Sequence, residues 1–241
     1  MRRKSILVTG GIGFIGSNFV KHLTELNYFV VILDKKTYSS NLSNLKKIDK
    51  KKYKLFLIDI NNAKAVFKIL KKYKPISVFN LAAETHVDRS IDSPEIFVKS
   101  NINGVVVLLE QIRKYIKHNR NIKFVHISTP EVYGSTKYNL KENFDFNPTT
   151  PYAISRACFD NHLISMFKYF DFPVVFTRAS NVYGPCQGLY RIIPASIISA
   201  TSNNKLKLEG GGNSKRNFIY VEDVVNATYK IALKGKTGET Y

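Results

Sequence analysis

Short β-branched runs alternate with amphipathic stretches almost from the first residue. The runs Ile6–Val8, Phe29–Leu33, Leu55–Ile58, Ser77–Leu81, Phe124–Ile127 and Val174–Thr177 predict strands. Between them apolar residues recur at helical spacing; Ile15, Phe19, Leu23 and Leu26 follow one another at intervals of four, four and three. This βαβα order predicts an α/β protein with a doubly wound parallel (Rossmann) sheet and right-handed crossovers. Its ligand is expected outside the carboxyl ends of the strands. After Ala179 the alternation fails. Residues 179–217 combine turn signals, Tyr183-Gly184-Pro185 and Gly210-Gly211-Gly212, with one apolar helix around Ile192–Ala200. Asn217–Val221 and then Val224–Leu233 predict a strand and a helix that return to the sheet. With no linker and no internal repeat, two interleaved lobes are expected: a Rossmann domain over 1–178 and 218–235, and a smaller lobe over 179–217 and 236–241. Gly238-Glu239-Thr240-Tyr241 resembles the approach to another strand, so the smaller lobe is expected to be cut short.

The 241 residues are 44% hydrophobic and 23% charged, which excludes a disordered polymer and a fibrous repeat. A net charge of +19 attracts anions without specifying them. The basic residues fall in pieces, such as Lys46-Lys47, Lys50-Lys51-Lys52 and Lys71-Lys72, with no aromatic-interleaved stripe. A solvated surface is therefore expected, and no nucleic acid partner. No run approaches the ~18 apolar residues of a membrane span, so no membrane partner is expected. Met1-Arg2-Arg3-Lys4 imitates the start of a signal peptide, but Gly10-Gly11 interrupts it, and none is expected. Cys158 and Cys186, without paired spacing, fit a reducing cytoplasm. His22, His118 and His162 fall on helices and His126 inside a strand; all four are expected to be structural or exposed, with no metal spacing among them.

Chemistry enters with Gly10-Gly11-Ile12-Gly13-Phe14-Ile15-Gly16, between the first strand and the first helix. Gly10 permits the tight turn, Gly13 lets backbone approach a pyrophosphate at the helix N-terminus, and Gly16 permits close packing. Asp34 ends the second strand 18 residues beyond Gly16, near the roughly 20 expected of the carboxylate that holds a ribose 2′-hydroxyl. It favours NAD over NADP, while Lys35 and Lys36 beside it pull the other way. Asp59, ending the third strand, is either an adenine contact or a plain turn aspartate. Thr150-Pro151 is a helix start that sets Tyr152 and Arg156 on one face, where a fixed positive charge favours phenolate. Such a phenolate takes a hydroxyl proton as hydride leaves for nicotinamide; the alternative is an exposed helix carrying the two by chance. Ser128-Thr129-Pro130-Glu131-Val132-Tyr133-Gly134 puts hydroxyls and a carboxylate at the end of the fifth strand.

These segments resemble the extended short-chain dehydrogenases/reductases, and among them most the dTDP-glucose 4,6-dehydratases. The resemblance also rests on Asp34-Lys35-Lys36-Thr37-Tyr38, on Leu81 through Ile91 with its Glu84–Ile91 run, on Arg178 through Pro185, and on Arg216 through Asp223. It implies bound NAD and a nucleotide-sugar substrate. Tyr152, assisted by Thr129, would deprotonate the 4-hydroxyl; Glu131 would take the C5 proton while water leaves C6. Phe14, Ile15, Asp34, Lys35, Asp59, Ile60, Leu81, Ala82, Ala83 and Ser100 would contact NAD, together with the glycines, Tyr152 and Arg156. Thr85, Thr129, Asn181, Arg191, Lys207, Leu208, Glu209 and Arg216 would line the sugar-nucleotide side, Arg216 facing the diphosphate. By the same resemblance the helices of 94–118 and 151–170 would pair in a homodimer.

Three positions depart from the pattern. Pro130 stands where this branch carries an aspartate, Arg156 where the family has lysine, and Glu209 where an aromatic often meets the base. Proline has no proton to give, and a guanidinium does not replace an ammonium at a ribose contact. Two alternatives therefore stay open: 4-epimerisation or uronate decarboxylation of a nucleotide sugar, and a non-catalytic or truncated NAD-binding relic.

Overall fold

The computed structural model describes residues 3–117, 122–136, 139–206 and 215–241. Six strands form one sheet, parallel throughout: β1 (Ser5–Thr9), β2 (Phe29–Asp34), β3 (Tyr53–Leu57), β4 (Ser77–Asn80), β5 (Lys123–Ile127) and β6 (Val174–Thr177). Their order is β3-β2-β1-β4-β5-β6, so the winding reverses between β1 and β4. A crevice at the carboxyl ends of the strands is the geometric consequence.

Both faces of the sheet are covered, which is why its inner strands read as mainly apolar runs, while the edge strand β3 stays partly exposed. On one face Leu7, Val31, Val78 and Phe124 pack against α2 (Ala63–Tyr73), α5 (Gly104–Ile116) and α6 (Pro151–Phe170). On the other, Val8, Ile32, Phe79 and Val125 meet α1 (Phe14–Glu25) and α8 (Val221–Lys234). Two short helices, α3 (Val87–Asp92) and α4 (Pro94–Phe97), lead through a π-helical turn at Val98–Asn103 into α5, so the helix expected over 94–118 forms from Pro94 to Ile116 with one widened turn, His118 lying outside the described residues. Thr150 caps α6 by accepting from Ala153 N at 3.2 Å, and Pro151 opens the helix where a missing N–H is harmless.

The smaller lobe differs from expectation in two places. Phe218–Tyr220 is a strand, β8, but it pairs in parallel with β7 (Asn181–Tyr183) in a separate two-stranded sheet and does not rejoin the main one. Only α8, which follows it, returns. Residues 238–241 in turn lie along the main sheet: Gly238 N donates to Val174 O at 2.7 Å, Phe176 N to Glu239 O at 3.0 Å and Tyr241 N to Phe176 O at 3.1 Å. The free edge of β6 offers them unpaired backbone groups, so 236–241 belongs with the Rossmann sheet and not with the lobe. The apolar helix around Ile192–Ala200 is α7 (Ile192–Thr201), with no fully buried residue. The glycine triplet 210–212 lies outside the described residues.

Candidate active site

The crevice is lined by Gly10, Gly13, Asp34, Lys35, Asp59, Ile60, Leu81, Ala82, Ala83 and Ser100, ten of the positions expected to hold a dinucleotide. Phe14, Ile15 and Gly16 open α1 beside it without lining it; the first two rings and chains pack partly onto the core. Gly16 is obligatory for another reason than expected. A Cβ there would sit 2.1 Å from the Gly10 carbonyl oxygen, so its close packing is against the loop itself. Gly13 is the N-cap of α1, with no side-chain cap and no acidic residue in the first turn. The N–H groups and positive end of the helix dipole are thus left for an anion.

Asp34 is buried and held from three sides. Its Oδ2 accepts from Ile12 N at 3.2 Å, and its Oδ1 from Lys36 N at 2.8 Å and Ser40 Oγ at 3.0 Å. Lys35 is drawn to the opposite wall, Nζ 2.6 Å from Ser100 Oγ and 3.6 Å from Glu84 Oε1. Lys35 is thus engaged with Ser100 and Glu84 and Lys36 is exposed, so the Asp34 carboxylate keeps its charge at the end of β2, with Asp59 and Glu84 in the same lining. That fits a ribose 2′-hydroxyl and repels a 2′-phosphate. Thr37, Ser39, Ser40 and Glu84 also line the crevice and were not anticipated.

Past the end of β5 and at the start of α6 lie the residues expected to react. Thr129 caps a 3₁₀ helix at Pro130–Tyr133, its Oγ1 accepting from Glu131 N at 3.3 Å, and Pro130 fills the first helical position. Glu131 Oε1 pairs with Arg216 Nη1 at 3.2 Å, joining two predicted site residues that are far apart in sequence. Arg191 Nη2 donates to Thr85 Oγ1 at 3.2 Å. Asn181, in β7, is exposed, its amide on the Asn217 carbonyl at 3.2 Å. Lys207, Leu208 and Glu209 lie outside the described residues. Tyr152 is nearly buried, its backbone N donating to Ser90 Oγ at 3.1 Å and its ring edge-on to Phe97. Among the described residues its hydroxyl makes no hydrogen bond.

Arg156 is not placed as expected. Its guanidinium is buried behind the site, Nη2 donating to the Ile127 carbonyl and lying 3.2 Å from His126 Nε2, with no bond to Tyr152. The shared helix face is real, but the long side chain runs on to the sheet, toward Asp160 one turn further along α6. There it joins a polar row crossing the sheet. Thr9, Asn80 and His126 are register partners on β1, β4 and β5, and all are buried. Ala82 N donates to Thr9 Oγ1, so the Thr9 hydroxyl donates to Asn80 Oδ1 at 2.7 Å, which turns the Asn80 amide N toward His126 Nδ1 at 3.2 Å. Nδ1 thus faces the Asn80 amide, while Nε2 faces Arg156 Nη2 and lies 3.4 Å from Asp160 Oδ1. Burial drives the His126 pKa down to about 4, so the ring is neutral near pH 7. Burial pushes Asp160 the other way, but His126 and the Arg178 and Arg156 charges outweigh it and hold the carboxyl below its ordinary range. Asp160 escaped the sequence reading, although its place four residues after Arg156 was visible.

Among the described residues no group of three or more His, Cys, Asp or Glu could hold a metal ion, and no helix is long and apolar enough to cross a membrane. Residues 7–241 match the model of the GDP-mannose 4,6 dehydratase family. The chain is 37% identical to a dTDP-glucose 4,6-dehydratase of Escherichia coli, over 98% of this chain and 70% of that one. It superposes on the dTDP-glucose 4,6-dehydratase of Bacillus anthracis in complex with NAD with a TM-score of 0.89 at 37% identity, covering 99% of this chain and 74% of that one. A UDP-glucose 4-epimerase from Thermotoga maritima with UDP-glucose is similar at a TM-score of 0.88 and 28% identity, covering 98% and 75%.

Proposed function

The chain belongs to the GDP-mannose 4,6-dehydratase family, and from that premise we propose that it is an NAD-dependent nucleotide-sugar 4,6-dehydratase of the dTDP-glucose type. The observation that carries the reading is one crevice with an uncapped glycine turn and Asp34, beside which stand Thr129 and Glu131 at the 3₁₀ helix after β5 and Tyr152 on α6, which packs against that helix. The residues present fit NAD: Gly13 leaves N–H groups for the pyrophosphate, Asp34 suits a free ribose, and Ala82 and Ala83 leave the wall apolar. NAD held there would supply the acceptor for hydride from sugar C4 and its donor back to C6, with no net redox change. Tyr152, with Thr129, takes the 4-hydroxyl proton. The 4-ketone acidifies C5, and Glu131 removes that proton as water leaves C6. Because Pro130 has no proton to give, Glu131 hands the proton it has taken to the departing hydroxyl; C5 regains a proton from solvent as hydride reaches C6, and Tyr152 releases the 4-hydroxyl proton to solvent. Arg216 binds the diphosphate, and this draws it off Glu131 and frees the carboxylate to act as base. Thr85, Asn181 and Arg191 belong to the sugar-nucleotide wall.

A second reading, 4-epimerisation, draws support from Pro130 and from the epimerase likeness. It leaves Glu131 without a task. Incubation with dTDP-glucose, UDP-glucose or GDP-mannose separates the two: the dehydratase product lacks the mass of one water. An unchanged mass with an inverted C4 selects the epimerase, and NAD binding without turnover selects a non-catalytic protein. Ile91, Ile96, Val98 and Ile154 are exposed apolar residues on α3, α4, the π-helical turn and α6, elements packed against one another, which supports a homodimer through these helices. Two free, exposed cysteines support a cytoplasmic location.

A further inference from the structure

We propose that Asp160 is a positioning residue for catalysis, a buried carboxylate that grips both ends of the segment 128–133 and so fixes Thr129 and Glu131 relative to Tyr152. The proposal rests on the dehydratase reading above. Asp160 Oδ2 accepts from Ser128 Oγ at 2.6 Å, immediately before Thr129. The same oxygen accepts from Arg178 Nη2 at 2.9 Å and Nε at 3.3 Å. The remaining arm of that guanidinium, Nη1, donates to the Tyr133 hydroxyl, at the far end of the segment, and to the Glu142 carbonyl at 3.0 Å. One ionised group therefore holds the start of the segment directly and its end through Arg178. Asp160 itself is fully buried and touches none of the groups assigned to the sugar. It is carried by α6, the helix that carries Tyr152, so the grip sets the spacing between the phenol on one element and the carboxylate on the other. His126, anchored through Asn80 and Thr9 to the start of the glycine loop, lies 3.4 Å from the other carboxylate oxygen, Oδ1. Misplacing a reacting group by about 1 Å costs on the order of 100-fold in rate, which sets the size of the effect.

In the full chain, Asp160→Asn is expected to lower kcat on dTDP-glucose about 100-fold, with KM held within about twofold and NAD affinity unchanged. Glu131 depends wholly on the held segment, whereas Tyr152 does not. The isotope effect from deuterium at C5 of the substrate therefore rises in this variant as elimination becomes limiting. Amide hydrogen exchange over 128–134 quickens while peptides over 10–16 stay protected. Ser128→Ala, the smaller change, moves kcat and exchange in the same direction and adds nothing in the Asp160→Asn background. Unchanged kcat and exchange in either variant overturns the proposal; so does a loss of protection spread evenly over the sheet, which marks a merely structural carboxylate. Should Asp160→Asn fail to fold, Ser128→Ala alone decides by the same two readouts. A parent protein that turns over no sugar nucleotide overturns the dehydratase reading instead, and the exchange measurement still decides the grip.

Discussion

The Tyr152 hydroxyl has no partner among the described residues, and that freedom suits a group whose task is to meet a substrate alcohol. Tyr152→Phe removes that oxygen and little else from a nearly buried ring. Turnover is expected to fall about 1,000-fold with NAD affinity retained, as read by steady-state kinetics beside a fluorescence titration. Glu131→Gln keeps a hydrogen-bonding partner for Arg216 but cannot take a proton; elimination is expected to fall by a similar factor while exchange of substrate into the site persists. At this scale the sequence was informative wherever the backbone dictates a residue type. Gly10, Gly13 and Asp34 were legible because a turn, a close approach and a strand end leave few choices. Arg156 was not, because helical spacing gives the face of a side chain and not where a long guanidinium ends.

Among the elements, the glycine turn is the most exacting. Gly16→Ala places a Cβ 2.1 Å from the Gly10 carbonyl, so the loop must shift. A loss of about 1–3 kcal/mol in unfolding free energy, together with loss of NAD binding, is the expected outcome by denaturant titration and calorimetry. The polar row through β1, β4 and β5 makes stability depend on pH. Below His126's ordinary 6.5 the unfolded imidazole takes up a proton that the folded one refuses until about pH 4. Stability is therefore lost as pH falls from 6.5 to 4, on the order of 3 kcal/mol from this buried group. Asp160, held below its ordinary range, stabilises above that range and ceases to do so as pH falls through its folded pKa. Denaturant unfolding across pH 4–7 is expected to show this slope in the parent and a flatter one in His126→Gln. The strands of the main sheet were legible because burial makes the inner ones apolar runs and even the half-exposed β3 keeps Leu55, Phe56 and Leu57. β8 was legible as a strand but its pairing was not, and β7 was missed: three residues each, half exposed, they pair with each other.

For the molecule as a whole, the doubly wound sheet follows from the alternation of elements, and the crevice follows from the sheet. What the order of elements could not reveal was that residues 238–241 find the β6 edge, since that pairing joins segments more than sixty residues apart. The exposed residues Ile91, Ile96, Val98 and Ile154 lead to a further expectation. Sedimentation velocity should report a dimer, and Ile154→Glu, which sets a charge among them, should yield the monomer. The central claim is an internal, redox-neutral dehydration, and the fate of one hydrogen tests it most directly. Given dTDP-glucose deuterated at C4, the account predicts a product lighter by one water with the deuterium on C6. Deuterium remaining at C4, or an undiminished mass, would contradict it.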